Sequence, residues 1–232
     1  MPIVFQDFEH FKNAVDDNIV LEEKKKWLST VAPSIEAAVK SSVTGNTFRA
    51  FRFRSVGIHD LAPSSVYRDW TNLQLNKDKG EICKIESFES MMQYVIDAAS
   101  KLEKYWSEKT KGKNKIGFGR SAKLLNLSIK HLLHLDEKLC PGLNKSEFIK
   151  YLNVPLDSYT IQAIRNIHPE LNIPKNASMG YIQDENQYRE FQNTILELTK
   201  KSSNNSGREI TPFDYEFVVW NGAHLDRATL PE

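Results

Sequence analysis

The feature that most constrains the fold is a long amphipathic stretch, ESFESMMQYVIDAASKLEKYWSE, at residues 86–108. Its apolar residues recur every three or four positions, a spacing that places them on one face of an α-helix. That face comprises Phe88, Met91, Met92, Val95, Ile96, Ala99, Leu102 and Trp106. The stretch therefore predicts a long helix with one side in a hydrophobic core.

Apolar residues at helical spacing recur through much of the remaining chain. They predict helices in the first forty residues, in residues 124–135 and in roughly residues 187–201. The sequence as a whole therefore predicts a mainly α fold.

One short stretch, TFRAFRFR at residues 47–54, has a different period. Phe51 and Phe53 alternate with Arg52 and Arg54, which predicts a short extended or β element. Two interpretations stay open for it. In the first interpretation the stretch is an edge strand whose arginines are only solvated. In the second it is a basic and aromatic surface that contacts nucleic acid.

Loop-like segments divide the chain into three expected regions. Residues 1–85 form an N-terminal helical region, residues 86–200 contain the central helices, and residues 201–232 contain a linker and a C-terminal segment. The N-terminal region can pack with the C-terminal segment, which would give one compact unit of two lobes.

The composition fits a water-soluble globular chain, with 40% hydrophobic and 26% charged residues. No stretch approaches the roughly 20 apolar residues of a membrane span. The start, MPIVFQDFEHFKNAV, lacks the apolar core of a secretory signal. We therefore expect a cytoplasmic protein, nucleoid-associated if bacterial, in which Cys83 and Cys140 are buried or incidental thiols.

Positive charge is concentrated in one part of a chain whose formal net charge is only +1. From Lys101 to Lys130 there are nine Lys or Arg residues against two Glu. Within this part, Gly117 and Gly119 permit a tight turn before a helix, whose first N–H groups attract anions. This arrangement is either a solvated helix end or a phosphate-binding site that does not recognise the bases. The candidate DNA-binding residues are Lys115, Gly117, Phe118, Gly119, Arg120 and Ser121.

A second motif, VPLDSYTIQAI at residues 154–164, places Asp157 directly before a predicted helix. A structural interpretation makes Asp157 the cap of that helix. The order of glycine turn, helix and aspartate nevertheless resembles the helix-hairpin-helix (HhH-GPD) DNA glycosylase superfamily. Its members carry a G-x-G turn followed by a basic or hydroxyl residue and an alanine, and later a V-P-[VL]-D-[ST] segment. The matching residues are Gly117–Ala122 and Val154–Ser158, within about residues 88–167.

The resemblance implies a helical glycosylase fold and, as partner, double-stranded DNA that contains a modified or damaged base. Such enzymes rotate one nucleotide out of the duplex and excise its base. By analogy, Asp157 stabilises the positive charge that develops on the sugar and helps to position the attacking water. The resemblance implies a monomer that hydrolyses the N-glycosidic bond without a cofactor.

A lysine nucleophile distinguishes the bifunctional members of the superfamily, which also cut the strand. The corresponding position is Ser121 here, which favours hydrolysis without strand cleavage. Lys123 lies two residues further on and is the candidate for a displaced catalytic lysine, so lyase activity stays open.

The chain departs from the family pattern in two ways. Lys115-Ile116 replaces the usual Leu-Pro before the turn, and Asp157 lies 38 positions after Gly119, about twice the common spacing. The extra residues fall within 134–153. A second interpretation therefore stays open, a non-catalytic helical DNA-binding or protein-interaction module that retains the hairpin.

The residues that would contact an extruded base are expected in the last segment, with Phe48, Phe51 and Trp70 as alternatives in the N-terminal half. Trp220 and Asp214 are the candidates, because pockets for extruded bases use aromatic faces and polar partners for the base edge. His131 and His134 are interpreted as surface or core residues, with no metal site. We also expect no iron–sulfur cluster, because the sequence contains only two cysteines.

Overall fold

The computed structural model describes residues 7–43, 45–48 and 51–228. Within these ranges the protein forms no strand, and one isolated bridge joins Ala32 to Leu135. The prediction of a mainly α fold is confirmed. No helix of these ranges is long and apolar enough to cross a membrane. The α-helices are α1 (Phe8–Val15), α2 (Asn18–Leu28), α3 (Ile35–Ser42), α4 (Gly45–Phe48), α5 (Pro63–Ile82), α6 (Phe88–Lys109), α7 (Phe118–Lys130), α8 (Lys145–Tyr151), α9 (Ser158–Ile167), α10 (Glu185–Ser206) and α11 (Pro212–Ala228).

The central amphipathic stretch forms α6, as its spacing predicts. Ser87 caps the helix by accepting the backbone N–H of Ser90, while Glu89 in the first turn and Lys109 in the last complement the helix dipole. The whole predicted apolar face is buried. Each large apolar side chain buried in this way contributes about 1.5–3 kcal/mol. The packing of this face, rather than helix propensity alone, stabilises α6.

The chain folds as two compact units, which we call the terminal unit (Met1–Ser29 and Asn153–Glu232) and the central unit (Thr30–Leu152). These boundaries differ from the expected ones after residues 85 and 200. In the terminal unit the two ends of the chain meet through aromatic pairs. Phe11 packs on Tyr215 with ring centroids 5.6 Å apart. Such distant pairings leave no periodic signal in the sequence.

The central unit is built around a helical hairpin in which α6 and α7 pack against each other. Helix α3 lies against α5 and α7, and α8 lies against α6. The buried Tyr67 hydroxyl on α5 donates to the backbone O of Leu124 at 2.7 Å and lies 2.6 Å from Ser128 Oγ. Burial raises the pKa of Tyr67 well above its ordinary value, so the phenol stays a neutral donor.

The expected extended element at residues 47–54 is not formed by the described residues. Helix α4 ends at Phe48, and a 3-10 turn spans Phe53–Val56, while Arg49 and Ala50 lie outside the described residues. Arg52 has a left-handed backbone with φ of 45°, which is incompatible with a strand. The alternation arises instead because the rings of Phe51 and Phe53 both pack on Trp106, with centroids 5.1 and 5.2 Å away.

The two cysteines differ from the thiols that we expected. In the structure Cys83, just after α5, forms a disulfide with Cys140 in the segment before α8. Both residues belong to the central unit. Their separation of 57 residues gave no indication of this pairing, because their proximity depends on the packing of segments that are far apart in the chain.

His131 and His134 are buried core residues at the end of α7. The Nδ1–H of His131 donates to the backbone O of Leu127 at 2.7 Å, and the two imidazole rings meet edge to face at 5.0 Å. Burial, reinforced by the positive charge of Lys130, lowers the pKa of His131 from 6.5 to about 3. The ring is therefore neutral in the folded protein.

We expect His131 to make the protein less stable as the pH falls. Its folded-state pKa is lower than its unfolded value, so the unfolded chain binds a proton below pH 6.5 that the folded chain does not. This difference should cost about 2 kcal/mol between pH 6.5 and about pH 5. Urea unfolding across this window measures it. His131→Asn keeps a donor for Leu127 and should flatten the profile, whereas an unchanged slope in the variant would contradict the prediction.

Candidate functional site

The hairpin loop, residues 110–117, connects α6 to α7 and is held by Asn114. The Oδ1 of Asn114 accepts the indole N–H of the buried Trp106 at 2.9 Å, and the Nδ2 of Asn114 donates to the backbone O of Phe51 at 2.9 Å. Thr110 Oγ1 adds contacts to the backbone O of Trp106 and of Asn114, at 2.8 and 3.0 Å. The loop is therefore fixed from both sides, and sequence reasoning missed Asn114.

Gly117 is the residue from which α7 starts. Its φ of 79° and ψ of 149° lie in a region that is essentially restricted to glycine. Because glycine has no side chain, no side chain at this cap position accepts an N–H of the first turn. The glycine turn thus gives α7 an N-terminal end with positive dipole character, as the sequence predicts.

The predicted DNA-binding residues divide into exposed and buried ones. Lys115 is exposed on the hairpin loop. The half-buried Arg120 places its guanidinium 6.0 Å from the Phe51 ring centroid and donates to the backbone O of Ile116 at 3.3 Å. Phe118 and Ser121 have buried side chains, so they are not surface contacts, because they point into the packed protein. This corrects the expectation for both side chains.

Ser121 and Lys123 lie on α7 at the positions relevant to a lysine nucleophile. Ser121 is 0% exposed, and its Oγ has no hydrogen-bond partner among the described residues. Lys123 is half-buried two residues later on the helix. Because successive residues of a helix are rotated by about 100°, the two side chains point in widely different directions.

Asp157 is the N-cap of α9 and belongs to the terminal unit. Its Oδ1 accepts the backbone N–H groups of Tyr159 and Thr160 at 2.9 and 3.1 Å. Thr160 Oγ1 in turn accepts the backbone N–H of Asp157 at 2.8 Å, which completes a capping box. The residue is 5% exposed. The structural interpretation of Asp157 as a helix cap is thus realised in this structure.

The segment that leads to Asp157 is held by Gln192 of α10, which sequence reasoning also missed. Gln192 is completely buried, and its Oε1 accepts the backbone N–H of Val154 at 2.9 Å. Its Nε2 donates to the backbone O of the same residue at 2.7 Å. This double contact pairs both backbone groups of Val154 and so fixes the approach to α9.

Aromatic side chains surround the start of α9. The Tyr215 hydroxyl on α11 donates to the backbone O of Thr160 at 2.7 Å. Burial and the nearby charge of Asp157 raise the pKa of Tyr215 well above its ordinary value. Trp220 is 39% exposed, and its ring centroid lies 6.2 Å from that of Tyr159 in an edge-to-face arrangement. The structure thus brings Trp220 to the helix that Asp157 caps.

Asp214, the other residue expected near the base, has a different role. Its Oδ1 pairs with Lys24 Nζ at 2.5 Å, and its Oδ2 accepts the backbone N–H and the hydroxyl of Thr211 at 2.9 and 2.7 Å. Because both oxygens are engaged and the residue is 4% exposed, Asp214 stabilises the start of α11 instead of facing a pocket. No group of three or more His, Cys, Asp or Glu in the described ranges is placed to hold a metal ion.

We expect Gln192→Leu to lower the free energy of unfolding by about 2–4 kcal/mol, because it removes the two buried hydrogen bonds that Gln192 makes to the backbone of Val154. Chemical denaturation measures the loss. Gln187→Leu is the matched control, since the Gln187 side chain accepts the backbone N–H of the exposed Gln183 and lies in the same helix. A loss at position 192 no larger than at position 187 would show that the contact is dispensable.

Comparisons of the chain with protein-family models, with curated proteins and with solved structures found no match. The functional assignment therefore depends on the residues and the geometry described above.

Proposed function

We propose that the protein is a DNA glycosylase with a helix-hairpin-helix fold that hydrolyses the N-glycosidic bond of a modified or damaged base in double-stranded DNA. The proposed DNA-backbone contacts are the hairpin loop and the start of α7. The proposed catalytic carboxylate is Asp157. The proposal includes action as a monomer in the cytoplasm.

The observation that carries this proposal is the grouping of Asp157, Tyr159 and Trp220 at the start of α9. A carboxylate at a helix N-terminus is held in a defined orientation by the two N–H groups that it accepts. Tyr159 follows Asp157 by two residues, and the partly exposed Trp220 lies against the Tyr159 ring and offers an aromatic face of the kind on which bases stack. Excision of an extruded base needs both features in one place.

In the proposed reaction the bond between C1′ of the sugar and the base nitrogen breaks, and the bonding electron pair leaves with the base. Asp157 stabilises the positive charge that develops on the sugar. Water adds its oxygen to C1′ and gives up a proton, and the departing base takes up a proton. Tyr215, kept neutral by burial, fixes the first turn of α9 through its hydrogen bond to Thr160.

The hairpin supports binding to the DNA backbone. The start of α7 carries no side-chain cap, and Lys113 and Lys115 on the loop before it are exposed. Backbone N–H groups and lysines contact phosphates without reading the base sequence, so they position DNA and do not select a base.

The residues of α7 favour hydrolysis without strand cleavage. Ser121 occupies the position of the lysine nucleophile and is buried. Lys123 points to another side of the helix. A lysine that attacked C1′ would form an imine that borohydride reduces to a stable crosslink. We therefore propose a monofunctional enzyme, and borohydride trapping on substrate DNA distinguishes it from one that uses Lys123.

A second candidate function is a DNA-binding module without catalysis. The capping box favours it, because Asp157 has a complete structural role and is 5% exposed. On this alternative the hairpin binds DNA, and the aspartate serves only to start α9. The two candidates differ in the consequence of removing the charge of Asp157.

We expect Asp157→Asn to slow excision by about 10²–10³-fold and to leave the fold intact. Asparagine is as good an N-cap as aspartate, so α9 should still form, whereas the negative charge on which the reaction depends is lost. To measure excision, the protein or the variant is incubated with duplexes that carry different modified bases, and the alkali-labile breaks are counted. Removal of one electrostatic contact of this kind typically slows a reaction by about 10²–10³-fold.

The matched control is Asp184→Asn. Asp184 caps α10 by accepting the N–H of Gln187, and it belongs to the same unit, but it is exposed. The Asp184→Asn variant should retain the full excision activity of the unchanged protein. If the unchanged protein binds the duplexes but produces no breaks with any base of a broad panel, the module without catalysis is the correct alternative.

The exposed lysines of the hairpin loop predict how DNA binding depends on salt concentration. The double variant Lys113→Ala and Lys115→Ala should bind duplex DNA more weakly and should reduce the slope of log K against log salt concentration by about 1.8, the value for two phosphate contacts. Fluorescence anisotropy at several salt concentrations measures the slope. Lys77→Ala with Lys79→Ala, on the exposed side of α5, is the control. Equal slopes for both variants would show that the hairpin lysines do not contact phosphates.

A further inference from the structure

The central unit contains a cavity of about 690 Å³ that the proposed excision chemistry does not use. It lies between the 3-10 turn after α4 and the start of α5. The side chains on which the inference depends are Phe48, Arg52, Phe53, Arg54, His59 and Asp60. The volume is within the range of pockets that hold small organic ligands.

Positive charge predominates among the side chains that line this cavity. Arg52, Arg54 and His59 are exposed. Asp60 lines the same cavity, yet within the described part of the chain no ion pair connects it to either arginine. Guanidinium groups match the oxygens of phosphate with paired hydrogen bonds, so two unpaired arginines in one cavity favour a phosphate ligand.

The remaining walls favour a ligand that joins a phosphate to an aromatic group. Phe48 and Phe53 supply apolar wall, and the 20-residue helix α5 begins at the cavity with Pro63. Its N-cap, Ala62, provides no side-chain acceptor. The positive end of α5 therefore reinforces the arginines in attracting an anion.

The cavity is connected to the hairpin loop by direct contacts. Asn114 of the loop donates to the backbone O of Phe51, next to Arg52. The guanidinium of Arg120 lies over the ring of the same phenylalanine. Both basic features of the central unit are thus fixed to the one short segment that contains Phe51.

We propose that this cavity binds the phosphate group of a nucleotide, with Arg52 and Arg54 as the phosphate ligands and Phe48 and Phe53 beside the base. The nucleotide is part of a DNA strand or a free mononucleotide, and both present the same chemistry. The proposal depends on the proposed function only for the choice of a nucleotide. Binding is measured without excision, so either proposal can fail without the other.

The test compares the protein with the double variant Arg52→Ala and Arg54→Ala. Fluorescence anisotropy measures the affinity for a short single strand labelled at its 3′ end, and calorimetry measures the affinity for deoxyadenosine monophosphate. The variant should bind at least one of these about tenfold more weakly. For the single strand, the slope of log K against log salt should fall by about 1.4, as expected for two phosphate contacts. Because both side chains are exposed, the variant should unfold at the same temperature as the unchanged protein.

Two further variants make the result decisive. Lys77→Ala with Lys79→Ala removes the same charge elsewhere on the central unit and should leave both affinities unchanged. Arg52→Lys with Arg54→Lys keeps the charge and should restore part of the binding, since lysine makes no paired contacts to phosphate. A loss confined to the strand identifies DNA as the ligand, and a loss that includes the mononucleotide identifies a free nucleotide. If neither affinity depends on the arginines more than on the control lysines, the proposal is wrong.

Discussion

The candidate binding residues of the central unit, on the hairpin loop and around Arg52 and Arg54, depend on the hydrogen bonds of the Asn114 side chain. This side chain accepts from the indole of Trp106 inside the helical hairpin and donates to the backbone of Phe51 on a distant part of the chain. The indole N–H of Trp106 and the backbone O of Phe51 belong to buried residues, so leaving either group unpaired is costly. One residue thus fixes both the hairpin loop that leads into α7 and the segment that carries Arg52 and Arg54.

Asp157 combines a structural role with the proposed chemical one. Both cap hydrogen bonds end on Oδ1, which orients the carboxylate, and the N-terminal end of α9 favours its negative charge. A group that is held in place before the reaction needs no reorganisation when charge develops on a substrate, and this is the main source of electrostatic catalysis. Capping of α9 and stabilisation of a sugar cation are therefore compatible roles for one carboxylate.

Much of the fold could be predicted because helices leave a local signal. The period of the apolar residues predicted α6, α7 and α10, and Gly117 and Asp157 stand at the helix starts where the motifs placed them. The prediction of an extended segment at residues 47–54 was wrong for the described residues. Two phenylalanines that alternate along the chain both pack on Trp106, and a period of two does not distinguish this arrangement from a strand.

The sequence by itself determined α6, α7 and α10, the glycine-dependent start of α7 and the cap at Asp157, because each follows from residues within one or two turns of one another. Only the tertiary structure decided that Asp214 pairs with Lys24, that Ser121 is buried, that Cys83 meets Cys140 and that Trp220 lies beside Tyr159. Each of these depends on contacts between segments far apart in the chain. Such contacts depend on how whole helix faces pack against one another, and a local pattern of residues does not predict that packing.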